Sequence, residues 1–168
     1  VVITNAAAAH LEGFGSVDGV ARGKGEILQG KQKPEYAILN RDDKYFGLWE
    51  SMAKGLPIIS FGADQRASVY PTHVNAAMNG SEFTLNMPNS ALEIALPLSV
   101  EHNVWSACAA AAASIAVGVT PRQIKAGLEN IRPVSGRLQA IEGIGGIRLF
   151  DDSYNANPAS VIAAARFL

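Results

Sequence analysis

A chain of 168 residues, 48% of them hydrophobic and 17% charged, can bury a core and is excluded from the intrinsically disordered class. Its formal net charge of −1, without a basic block, excludes nucleic acid or an anionic membrane surface as the main partner. The single cysteine, Cys108, excludes an internal disulfide framework and suits a reducing cytoplasm.

Val1-Val2-Ile3-Thr4 is a short apolar, β-branched run, the pattern of a central parallel strand. It starts at once and without a methionine, so the chain is expected to begin inside a larger protein. Glycines at 13, 15, 19, 23 and 25 make the next stretch read as loop, with room for a short helix over Val17 to Lys24. Tyr36-Ala37-Ile38-Leu39 is a second buried strand, ending in Asn40-Arg41-Asp42-Asp43. From Asp43 to Lys54, Phe46, Trp49, Met52 and Ala53 recur at helical spacing and Gly55 is a natural stop. Pro57 to Gly62 is a third strand. Strand, helix, strand at these lengths predicts a parallel α/β sheet.

The pattern then changes. His73 to Met78, the turn pair Asn79-Gly80, alternating Phe83, Leu85 and Met87, a turn at Pro88-Asn89-Ser90, and alternating Leu92, Ile94, Leu96 and Leu98 predict a three-stranded antiparallel meander. A long alanine-rich helix follows, from about Val104 to Val117. The longest apolar run, Trp105 to Val119, is too short to cross a bilayer and reads as a buried helix. Thr120 is an N-cap with Pro121 at the first helical position, and this helix reaches about Asn130. Arg132 to Gly136 reads as a hinge. It divides residues 1–133 from residues 134–168, where Ile147 to Phe150 is a strand and Pro158 to Leu168 a helix capped by Asn157. That is the first βα unit of a second α/β domain.

Ligands of open α/β sheets collect at the carboxyl ends of the strands. Three polar clusters fall there: Asn5 to His10, Asn40 to Asp43, and Asp151 to Asn157. Each also has a plain structural reading. A lone histidine after a strand serves as a loop hydrogen-bonder, Asn40 to Asp43 as a helix N-cap with dipole-favoured acids, and the last cluster as a polar loop. No lysine is followed by serine or threonine, so a phosphate loop is absent, and "GVARGKGE" lacks the hydroxyl such a loop needs.

"NAAAAHLEGFGSVDGVARGKGEI", "HNVWSACAAAAASIAVGV", "SGRLQ" and "LFDDSYNANPASVIAAA" occur in this order, and together they resemble the ATP-dependent Mur ligases of bacterial cell-wall synthesis. "AHLEGFGS" and "DDSYNANP" resemble the branch of that family that joins D-alanyl-D-alanine to UDP-N-acetylmuramoyl-tripeptide. The resemblance implies the later part of a central ATPase domain, its phosphate loop upstream of Val1, and then the start of a Rossmann-like C-terminal domain. It implies amide formation through an acyl phosphate by a monomeric enzyme of the bacterial cytoplasm. A fragment of this extent is expected to be inactive alone.

The same resemblance implies roles for residues. His10 helps to hold the second of two Mg²⁺ ions, and Lys24 is carbamylated by CO₂, which turns a cation that cannot bind metal into a two-oxygen anion. Asn103 reads the adenine edge, or caps its helix, or both. Arg137 lies near the ATP phosphates or ribose, Asp152 with Asp151 beside it accepts from ribose hydroxyls, and Tyr154 and Asn155 flank the nucleotide. Asn40, Asp42 and Asp43 are mainly structural, and Trp49 and Trp105 belong to the core. Departures from the family pattern are Ala8 for proline, Gly23 for alanine, Glu101 before "HN", and Ser106 for a second asparagine. A sister Mur ligase, a folylpolyglutamate synthetase-like ligase, and a non-catalytic binding module are the competing readings.

Overall fold

The computed structural model describes residues 1–8, 11–77, 80–137, 139–156, 161–162 and 164–165. The three apolar runs form a parallel sheet in the order β1 (Val2–Ile3), β2 (Ala37–Asn40), β3 (Ile58–Phe61), with Ile3 beside Leu39 and Leu39 beside Ser60. The middle strand is covered on both faces, which is why Ala37, Ile38 and Leu39 are all buried and need no alternation. The connections are helical: α1 (Leu11–Phe14) and α2 (Val17–Gly25) before β2, and α3 (Phe46–Met52) before β3.

The glycine-rich segment is more helical than its composition suggests. Ser16 accepts a hydrogen bond from Gly19 N and caps α2. The glycines provide clearance rather than looseness. A Cβ on Gly23 would lie 2.5 Å from the Phe14 ring, and one on Gly25 would lie 2.5 Å from Met52 Sδ. They let α1 and α3 approach α2, and Trp49 seals that junction: it is fully buried and its Nε1 donates to Ala21 O at 2.9 Å.

The expected meander is a separate antiparallel sheet of β4 (Tyr70–Ala77), β5 (Gly80–Met87) and β6 (Ser90–Leu96). Phe83, Leu85, Met87, Ile94 and Leu96 turn inward onto Val104, Ala107, Cys108 and Ala111 of α4 (Glu101–Ala116). Small alanine side chains let this long helix lie close to the sheet. Burial pushes the Cys108 thiol up to about 12, so it is an inert core residue. Asn79, half of the expected turn, lies outside the described residues. Helix α5 (Pro121–Glu129) starts as its sequence predicts, with Thr120 and Gln123 forming a capping box. Ile124 and Leu128 are its buried face, and Glu129 accepts from Ala95 N at 3.1 Å, docking the helix on β6.

Two expectations need correction. Asn103 is not an N-cap: Val100, at φ 68, occupies that position, and α4 has already begun at Glu101. The segment after the hinge contains a further strand. β7 (Gln139–Glu142) pairs antiparallel with β8 (Arg148–Asp151), with Glu142 beside Arg148 and Gln139 beside Asp151. Gly145 and Gly146, at φ 72 and 80, make the turn between them. Residues 161–162 and 164–165 are helical, as expected of the last segment, while its cap Asn157 and Pro158 lie outside the described residues. Among the described residues no helix is long and apolar enough to cross a membrane.

Candidate functional site

The loops leaving the parallel strands are tied together by side chains of the β2 terminus. Asn40 donates through Nδ2 to Thr4 O at 2.7 Å and accepts from Asp42 N at 2.9 Å. Asp43 accepts from Ala6 N at 2.8 Å and from Tyr45 N at 2.9 Å, joining the β1 loop to the start of α3. Asp42 accepts from Ala63 N at 2.5 Å and Asp64 N at 3.0 Å, which fixes the loop after β3. Gly62 makes that approach possible, because at φ +153 a Cβ there would sit 2.7 Å from Asp42 Oδ2. The structural role expected of this stretch is thus cross-bracing. It is not a side-chain N-cap, since Tyr45 stands at that position without a capping bond.

A cleft of about 600 Å³ opens above these strand ends. Its floor is Thr4, Asn5, Asn40 and Phe61. One wall is the start of α4, where His102, Trp105, Ser106 and Ala109 follow the i, i+3, i+4, i+7 spacing of a single helical stripe, with Asn103 beside them. The other wall is Arg137, Asp152 and Asn155, from the segment beyond the hinge. Two parts of the chain separated by α5 therefore face each other across one polar space with an apolar patch.

Local contacts set what each wall offers. Asn103 Nδ2 donates to Ser99 O at 2.6 Å, so its amide is oriented and Oδ1 is the atom left to accept. Burial lowers the pKa of His102, and the carboxylate of Asp152 opposes that effect. The Arg137 guanidinium lies 4.2 Å from the Tyr154 ring centre, a cation–π stack. Tyr154 N donates to Gly136 O at 3.0 Å, and a Cβ on Gly136 (φ +74) would come within 3.0 Å of that nitrogen. Hydrogen bonds from Ser153 hold the Asp151 carboxyl below its usual range.

Of the residues singled out in the sequence, Asn103, Arg137, Asp152 and Asn155 line the cleft. Asp151 and Tyr154 adjoin it without lining it. Lys24 is exposed and reaches the floor only through Asn5, whose carbonyl accepts from Nζ at 2.8 Å. His10 lies outside the described residues. Trp105, assigned to the core, is half-buried and belongs to both the core edge and the cleft. His102 and Phe61 were not anticipated. The signal for His102 was its place beside Asn103 in "HN"; nothing in the sequence marked Phe61. A magnesium centre does not follow from the described side chains as they stand. No group of three His, Cys, Asp or Glu residues converges among them, and an ammonium such as Lys24 has no lone pair to give.

A parallel sheet with helical crossovers and a polar cleft at the strand carboxyl ends defines a ligand-binding α/β protein. Residues 1–114 match the Mur ligase middle domain, and the chain belongs to the Mur ligase family. It is 42% identical over 168 residues to the UDP-N-acetylmuramoyl-tripeptide--D-alanyl-D-alanine ligase of Escherichia coli, covering 99% of this chain and 37% of that protein. The corresponding Haemophilus influenzae ligase is 42% identical over 164 residues, 97% of this chain and 35% of that protein. A crystal structure of MurF from Acinetobacter baumannii superposes with a TM-score of 0.92 at 36% identity, over 99% of this chain and 36% of that one. The chain thus spans little more than a third of the length of these relatives.

Proposed function

We propose that this chain is part of an ATP-dependent amide ligase of peptidoglycan precursor synthesis, joining D-alanyl-D-alanine to UDP-N-acetylmuramoyl-tripeptide. Residues 1–133 would be the later part of its central ATPase domain and residues 134–168 the start of its C-terminal domain. The observation that carries the reading is the cleft, where Asn103 on one wall faces Arg137, Asp152 and Asn155 on the other. The similarity to ligases of that specificity over nearly the whole chain supports the substrate assignment.

In this reading ATP lies across the seam. Asn103 Oδ1 accepts from the adenine amino group, the Asp152 carboxylate accepts from ribose hydroxyls, and the Arg137 guanidinium meets phosphate oxygens, with Asn155 beside it. Tyr154 holds Arg137 from behind, and Asp151, fixed by Ser153, steadies the loop that carries Asp152. The γ-phosphoryl group passes to the terminal carboxylate of the acceptor peptide, giving an acyl phosphate and ADP. The amine of D-alanyl-D-alanine attacks that carbonyl, the tetrahedral intermediate loses a proton and expels phosphate, and the amide remains. The chain contributes mainly position and charge neutralisation. The proposal includes two Mg²⁺ ions, with His10 and a carbamylated Lys24 as protein ligands. With no phosphate loop in its sequence, the chain alone should release no phosphate.

The test is phosphate release by the longer protein that carries this segment, with UDP-N-acetylmuramoyl-tripeptide, ATP and Mg²⁺. Turnover should require D-alanyl-D-alanine, be lost in Lys24→Ala, and be partly restored to that variant by short-chain carboxylic acids. Full activity in Lys24→Ala would remove the carbamate from the proposal. Turnover with a diamino acid instead would identify a sister ligase, and none with any amine would leave a binding module.

A further inference from the structure

Helix α4 carries one large aromatic residue in a run of alanines, and that residue is only half-buried. Trp105 packs against the edge of the core, yet its position on the His102–Ser106–Ala109 stripe turns part of it to the cleft. The other tryptophan, Trp49, is fully buried and faces no cleft. Two neighbours of Trp105 on the stripe, Ser106 and Ala109, offer no flat face to a ligand. Ser106 Oγ donates back to His102 O at 3.1 Å, so its hydroxyl is satisfied by the helix. Ala109 is small and leaves space above it along the stripe. Phe61, at the end of β3, underlies the cleft floor and is itself buried in the core.

We infer that Trp105 is the stacking surface for the base of the bound nucleotide. The inference rests on the nucleotide reading of the cleft and adds a residue and a division of labour to it. Stacking on an indole tolerates any base because every base has a π-face, so Trp105 supplies affinity. The oriented amide of Asn103 supplies selectivity between an amino and a carbonyl group on the base edge. Loss of the indole should therefore weaken all bases alike, whereas loss of the amide should change their ratio.

The experiment titrates the longer protein that carries this segment with ADP and with inosine diphosphate, following indole fluorescence and, separately, calorimetric binding. Wild type should show quenching on ADP addition that Trp105→Phe abolishes while binding within about threefold of wild type, since a phenyl ring still stacks. Trp105→Leu, which keeps apolar bulk without an aromatic face, should bind ADP about tenfold more weakly while still unfolding in a single cooperative transition. The ratio of ADP to inosine diphosphate affinity should stay the same in both variants. Trp105→Leu binding ADP as wild type does would overturn the inference, as would tighter binding, which would make the indole an obstruction. A shifted base ratio would also overturn it, by giving Trp105 the selecting role. Wild-type longer protein that binds no ADP would sink the nucleotide reading itself and this inference with it.

Discussion

The two hydrophobic clusters that hold the molecule together draw all their buried members from residues 3–128. Beyond Asn130, Gly136 is the only buried residue among those described, and Ile144, at the tip of the β7–β8 hairpin, is 96% exposed. The first region is stabilised by burial, through Trp49, Phe61, Phe83 and the alanine face of α4. The second is held by strand pairing, by the Tyr154–Gly136 backbone bond and by the Arg137–Tyr154 stack. The cleft lies where they meet. One wall is therefore part of a packed core, and the other is a lightly held hairpin whose opening should cost far less than global unfolding. A ligand touching both walls would gain its orientation from the first and would itself fix the second.

The widest contrast is a pair of substitutions. Trp49→Ala removes the largest fully buried side chain and its hydrogen bond to Ala21 O, and should destabilise by about 4 kcal/mol. Ile144→Ser, on the hairpin tip, should change stability by less than about 0.5 kcal/mol. Urea unfolding of the two variants reads the difference directly. A large loss from Ile144→Ser would show that the hairpin is part of the cooperative core, and the comparison would fail.

A smaller effect separates bracing from packing inside the first region. Asp43 is not part of either hydrophobic cluster, yet it satisfies two backbone donors, Ala6 N and Tyr45 N, on different loops. Asp43→Ala should cost about 2 kcal/mol, because both donors lose a charged acceptor, and Asp43→Asn should fall between the two. Equal stability of wild type and Asp43→Ala would mean that water replaces the carboxylate freely and that the strand ends are not braced.

The strands, the meander and the α5 cap were legible because each rests on local patterning: β-branched runs, alternation about a turn, and Thr-Pro followed by Gln123. Three things were not. The short helix over Val17 to Lys24 was expected, but not the use of its glycines 19, 23 and 25, which is the absence of a Cβ facing Phe14 and Met52, and no local pattern shows that. β7 was missed because its four residues precede a glycine-rich turn and only pairing with β8 makes them a strand. Trp105 was placed in the core because an apolar residue in an apolar helix carries no mark of which side it faces. The cleft itself joins residues more than thirty positions apart, so Asn103, Arg137 and Asp152 could be named from the family pattern, while His102 and Phe61 needed the fold.

His102 offers the finest test, since it lies on the cleft side of α4, only partly desolvated, and feels the charge of Asp152. Burial lowers its pKa from the ordinary 6.5, and the attraction of Asp152 offsets only part of that. Above 6.5 both folded and unfolded chains hold a neutral imidazole, and stability is at its full value. As the pH falls through 6.5 the unfolded chain takes up the proton first, so stability declines until the lowered folded-state pKa is passed. The Asp64 carboxylate, held down to about 2 by its hydrogen bond from Arg66, titrates well below this window and does not confuse it. The urea midpoint of wild type should therefore be level from pH 8 to 7 and fall as the pH drops below 6.5, by less than the Asp43 effect. His102→Gln should remove the decline within that window. A wild-type midpoint that rises on acidification would mean that Asp152 outweighs burial, so that the seam closes as an ion pair and the second wall is held by charge rather than by the hairpin alone.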